Sequence, residues 1–440
     1  MIKNKKAYSN NNLDKISVPI GLVSAQLSEY PQLIYTFFYI LSAYLVLPIF
    51  DIPLLGLSIS APIMFIVAVA CVLKPLRPWF HAYRQWIFLA ILIWVGVFFS
   101  TVLNGIVSFG LKIDSGGVAT IIRYAYWLLV FVITSYFVSR GEIMPRLSGL
   151  LGWSVFLLAV LRLGEALIFG RYGNFSQPRL LSQNNYGMQF STFSPFLLIM
   201  VFQQRGWKRL LAIIANLLLW GAVAVNGSRG SWVSILIGLG ICLAMFFFSK
   251  PRKLFGLVFL LFLVLALTFV TVNIFPEISV VVNNRFQSFQ TLEEDKSVLI
   301  RELMVQKGLL LFEESPLIGV GGNRFRQSSA SLEIPLGLSY ETEAYFNRRS
   351  SHNSYIEFLA EFGLLGAIPY GLLLIILVVQ GTKVTLVALR QNDVIPLAVL
   401  LSLIQMSTHL WAISALANTA TWFVYGLIGA VIMSYRKIKV

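Results

Sequence analysis

Charge is scarce in this chain of 440 residues: Asp, Glu, Lys and Arg make up 12% of it, where a soluble domain carries roughly 25%. Cysteine is nearly absent. The two present, Cys71 and Cys242, lie inside apolar runs, which argues against a disulfide framework and a thiolate metal site. There is no HExxH, GxxxxGK[ST] or CxxC motif, and no DxD-type carboxylate pair that would hold a divalent ion beyond the membrane. Zinc-hydrolase and P-loop chemistry are therefore not expected, and no metal and no cofactor are. The acidic run Glu293-Glu294-Asp295 reads as a solvated helix start.

What the chain has is apolar length. Apolar residues reach 57%, in runs that recur at the roughly 20 residues a hydrocarbon core requires. A single soluble core would not absorb that much apolar side chain. The reading is an all-α polytopic membrane protein with about 12 transmembrane helices. Spans are expected near 32–50, 54–73, 85–108, 118–138, 147–170, 186–204, 209–225, 231–249, 253–274, 361–380, 394–412 and 416–434. The polar leader runs directly into these spans, so no cleavable signal peptide is expected. Residues 16–27 could lie along the inner interface.

The net charge of +15 does not point to nucleic acid, because its bases fall in alternate connections. Lys3, Lys5, Lys6 and Lys15 precede the first span; Lys74, Arg77 and Arg84, then Arg140 and Arg146, then Arg205, Lys208 and Arg209 follow. Lys250, Arg252 and Lys253, then Lys383 and Arg390, then Arg436, Lys437 and Lys439 complete the series. By the positive-inside rule both ends are cytoplasmic and the long loop between spans 9 and 10 is periplasmic. The expected organisation is a cytoplasmic segment 1–31, helices over 32–274, a loop over 275–352, and the remaining helices and tail over 353–440. Within the loop, Ser297 to Phe312 reads as a helix, stopped by Ser315-Pro316 and the turn Gly319-Val320-Gly321-Gly322.

Ionisable groups inside spans each cost about 2.5–3.5 kcal/mol on insertion scales, so each needs an account. They are Arg123, Arg162, Glu165, Glu357 and Glu361, with Arg162 and Glu165 spaced to pair. Arg171, Arg179, Arg229, Arg301, Arg324, Arg326, Arg348 and Arg349 add charge on the same expected outer face. Arginine's planar fork suits phosphate, so the cluster suggests an anionic ligand held in the membrane. The plainer alternative is snorkelling to headgroups, preferred for Arg171, Arg324, Arg326, Arg348 and Arg349. Arg229 differs, because small neighbours in Gly227-Ser228-Arg229-Gly230-Ser231 leave it accessible.

Three histidines occur. His81 reads as solvated, and His409 as a structural partner near a span end. His352 precedes Asn353-Ser354-Tyr355-Ile356-Glu357, where Ser354 and Glu357 match a capping box. An imidazole beside a helix N-terminus stays neutral, as a general base must, although a structural role fits the residues equally.

Three segments resemble one family. Asn226 to Ser231 is similar to the SRG signature of the O-antigen ligase superfamily. RELMVQKGLLLFEESPLIGVGGNRFR, from Arg301 to Arg326, resembles its loop helix and PLxGVG turn, and HNSYIEFLAEFGLLG, from His352 to Gly366, its HN…E…E-x-G signature. The resemblance implies a GT-C type glycosyltransferase of the bacterial inner membrane, acting at the periplasmic face. It would move a glycan from undecaprenyl diphosphate to an acceptor hydroxyl on lipid A–core, without metal and with inversion. It also implies His352 as the catalytic residue and Arg229, Arg301 and, more loosely, Arg179 as diphosphate contacts. A polysaccharide polymerase joining lipid-linked repeats fits the same motifs. A lipid-linked glycan transporter is the rival from another class, though transporters favour midplane sites and internal repeats, and neither is seen.

Overall fold

The computed structural model describes residues 32–47, 77–109, 115–139, 143–169, 180–274, 296–332, 350–416 and 418–436, with isolated residues between 279 and 287. Among them the ordered elements are all helical: α1 (Gln32–Val46), α2 (Arg77–Phe109), α3 (Ser115–Ser139), α4 (Ile143–Phe169), α5 (Gln183–Gln203), α6 (Gly206–Asn226), α7 (Arg229–Ser249), α8 (Pro251–Ile274), α9 (Lys296–Glu314), α10 (Phe325–Ala330), α11 (Ser354–Arg390), α12 (Ile395–His409) and α13 (Thr419–Arg436). Each expected span coincides with one of these except 54–73, which lies outside the described residues. The segment 16–27 lies outside them too.

Among the described residues six helices are long and apolar enough to cross a membrane: α2, α3, α4, α6, α7 and α11. The shorter α1, α12 and α13 are apolar but fall below that length. Large apolar side chains point outward along whole faces, as with Leu236, Phe247 and Phe248 on α7 and Phe255, Phe259 and Phe262 on α8. Phe248 is 80% exposed, a loss that water would penalise and lipid tails would not. The chain is thus a polytopic helical membrane protein.

Helices α12, α5 and α4 form the centre, with α7 against α12, α6 against α4 and α5, and α13 against α3. Polar side chains tie these apolar surfaces together. Ser402 donates to the Thr192 carbonyl at 2.5 Å, Asn216 to that of Leu197 at 3.0 Å, and the Tyr370 and Tyr425 hydroxyls meet at 2.7 Å. Such bonds matter in lipid because no water competes for the same groups.

The loop helix α9 runs from Lys296 to Glu314, matching the expected start and stop within two residues. Leu303, Met304, Leu311, Phe325 and Ala360 form a second small core that fastens α9 and α10 onto α11. Lys307 is buried between them, its Nζ donating to the Ser329 carbonyl at 2.7 Å, and loss of water lowers its pKa.

Helix α11 is broken at Gly363, whose φ of 56° and ψ of −160° lie outside any helix. The break receives the loop turn. Val320 and Gly321 donate to the Ala360 and Glu361 carbonyls, both at 2.9 Å, while Leu364 and Leu365 donate back to Pro316 and Leu317. A side chain at Gly363 would stand 2.5 Å from the Leu317 carbonyl, so only glycine fits.

Candidate functional site

The first turn of α11 is built differently from the capping box the sequence suggests. Asn353, not Ser354, is the N-cap, its side chain accepting from the amides of Tyr355 and Ile356 at 3.1 and 3.2 Å. The Ser354 hydroxyl instead donates to the Ile413 carbonyl at 2.5 Å and accepts from Ala415 at 2.8 Å. It crosses to the segment after α12 because that segment has amides and carbonyls outside any helix to satisfy. Glu357 likewise turns away from the cap and accepts from the Ser351 hydroxyl at 2.7 Å.

His352 sits between these fixtures in the left-handed region, at φ 50°. That conformation is uncommon for a side-chain-bearing residue and is held from both sides. Ser351 Oγ accepts from the Asn353 amide at 3.0 Å, and the Ser354 amide donates to Leu410 O at 2.9 Å. The second bond places the His352 loop beside the end of α12.

That end carries His409. Sequence reasoning sets it aside as a structural partner, and its location shows more. It is 1% exposed, its ring lies against Gly187 and Gly230, and it faces the backbone of Gly230 and Asn184. The Gly230 and Asn184 backbone lies within reach of the ring nitrogens, but neither nitrogen attains good hydrogen-bond geometry among the described residues. Leaving a buried polar group unsatisfied costs about 1–3 kcal/mol, so such a group calls for an explanation. Arg301, half-buried near the start of α9, is within electrostatic reach of this ring. No signal in the sequence could have found this, because the partners come from three separate helices, α5, α7 and α9.

Arg229 opens α7, directly after Ser228 as N-cap, and is half-buried. The turn before it is fastened on the other side. Asn226 and Gln183 exchange hydrogen bonds, 2.7 and 3.0 Å, joining the SRG turn to the first turn of α5. Arg162 reaches the same turn through Asn226 Oδ1 and the Val225 carbonyl, each at 3.4 Å. Its partner Glu165, at 3.8 Å, accepts from the Leu180 amide at 2.9 Å. The expected Arg162–Glu165 pair therefore forms, fully buried, and anchors the turn instead of facing a ligand.

The N-termini of α5, α7 and α11 thus converge on the end of α12, and Arg229, Arg301 and His352 border that convergence. Helix N-termini and two guanidinium groups make a region suited to an anion. Arg179, Arg171, Arg348, Arg349 and the run 293–295 lie outside the described residues, as does the His81 side chain.

Arg324 departs from expectation. It does not snorkel: it is 7% exposed and donates to the Asn104 carbonyl of α2 at 3.2 Å. Burial follows from the loop turn docking into α11, which carries Arg324 against α2. Beside it the Glu361 carboxylate accepts from the Phe325 amide at 3.1 Å.

Residues 214–371 match a family model described as O-Antigen ligase. That stretch contains the SRG turn, α9, the glycine turn and His352. No curated protein matches the chain.

Proposed function

We propose, for a chain that over residues 214–371 belongs to the O-antigen ligase superfamily, that it transfers a glycan from undecaprenyl diphosphate to a sugar hydroxyl of lipid A–core. The observation that carries this reading is the meeting of Arg229, Arg301 and the His352 loop around one helix end, although they lie far apart in sequence. The site belongs to the periplasmic side of the inner membrane, in a GT-C architecture of about twelve spans with the loop 275–352 outside.

In this mechanism His352 removes the acceptor hydroxyl proton. The oxygen attacks the anomeric carbon as the bond from that carbon to the diphosphate oxygen breaks. Undecaprenyl diphosphate departs with the electron pair, and Arg229 and Arg301, with Arg179, stabilise its charge where it develops. Attack opposite the leaving group inverts the anomeric centre. The donor is already activated and the arginines carry the neutralising charge, so neither nucleotide nor metal has a step to perform.

A polymerase uses the same chemistry with a second lipid-linked repeat as acceptor. Reconstitution of the full chain with lipid-linked glycan and either acceptor, in EDTA, separates these. Product on lipid A–core supports the ligase, and product only on lipid-linked repeats replaces it with the polymerase. Bound donor that is never cleaved would overturn both in favour of transport.

A further inference from the structure

A cavity of about 90 Å³ lies beside the His352 loop and is used by no step above. Arg123 of α3, Asn323 of the glycine turn, and Glu357 and Glu361 of α11 line it, with Trp127 as an apolar wall. Ser351, next to His352, donates to the Glu357 carboxylate, which ties the loop to one residue of the cavity wall.

The charges decide what fits. Glu357 offsets the single guanidinium, so the lining offers a diphosphate no net positive charge, and the guanidinium disfavours a cation. Hydroxyl groups satisfy both kinds of wall, since they donate to carboxylates and accept from arginine. An indole wall beside converging polar groups accommodates the apolar face of a sugar ring. The volume admits the hydroxyl-bearing edge of one sugar, with the remainder of the glycan outside. We propose that this cavity is the acceptor subsite, binding a neutral sugar by its hydroxyls beside His352. The inference rests on the transferase reading and names where its second substrate docks.

The test uses the reconstituted full chain, with Arg123→Gln and Asn323→Gly. The second is chosen because Asn323 has φ 61°, which glycine adopts freely, so the fold survives while the amide is lost. Arg123→Gln should raise KM for the acceptor glycan about tenfold, and Asn323→Gly severalfold, with donor KM unchanged. Unchanged acceptor KM in both folded variants overturns the subsite. A rise in donor KM instead overturns it too, by showing that the donor's own sugars occupy the cavity. Failure of the wild type to transfer any glycan would be failure of the transferase reading. Binding of free acceptor glycan to the full chain, measured by calorimetry, then still tests the cavity: the two substitutions should weaken it, and equal affinity in all three proteins overturns the proposal.

Discussion

The imidazole of His409 lies against Gly230, the residue that follows Arg229, and is sealed from solvent there. A side chain at Gly230 would come within 3.2 Å of that ring, so the two are fitted to one another. His409→Ala removes a ring packed against the residue after Arg229, one support of the SRG turn beside those from Gln183 and Arg162. Transfer should fall about 10- to 100-fold, the loss expected from a misplacement of the order of 1 Å. Steady-state assay of the reconstituted variant checks this, and a wild-type rate would return His409 to a passive packing role.

His352→Ala should lower transfer by about 10² to 10⁴ while donor binding survives, because the diphosphate contacts are arginines that the change leaves in place. Binding is measured with lipid-linked donor in detergent. Loss of binding with the fold intact would make His352 a ligand contact and not a base.

Arg301→Lys and Arg324→Lys separate site from scaffold. The first keeps charge and loses the fork, so transfer should drop strongly at unchanged thermal stability. The second disturbs a buried arginine bonded to Asn104 O and should cost about 1–3 kcal/mol of stability. Melting and transfer measured on both would refute the distinction if the two variants behaved alike.

Gly363→Ala tests the break in α11. Alanine there combines a φ of 56° with a Cβ 2.5 Å from Leu317 O, and the turn around Gly319 cannot dock without displacing one of them. A destabilisation of about 2 kcal/mol or more is expected, read as a lower melting temperature. A variant as stable as wild type would mean the break tolerates a side chain.

Orientation has its own test. Gln327 is exposed on α10, and Gln327→Cys should react with an impermeant thiol reagent added outside intact spheroplasts. Labelling solely from the cytoplasmic side would invert the topology.

Local pattern alone determined where helices run. Apolar length and the Ser315-Pro316 stop are properties of neighbours in sequence, so the expected loop helix Ser297–Phe312 and the observed Lys296–Glu314 nearly coincide. The Arg162–Glu165 pair was legible for the same reason, being one helical turn apart. The SRG, loop-helix and HN motifs could be named from sequence, but their meeting could not. His409 gains its place from Asn184, Gly187, Gly230 and Arg301, and Arg324 is buried only because the glycine turn enters the break at Gly363. Asn353 took the cap from Ser354 because Ser354 had partners at Ile413 and Ala415, across from another helix. Burial and hydrogen-bond satisfaction are settled between segments distant along the chain, so only the tertiary structure decided which charges anchor the fold and which border the site.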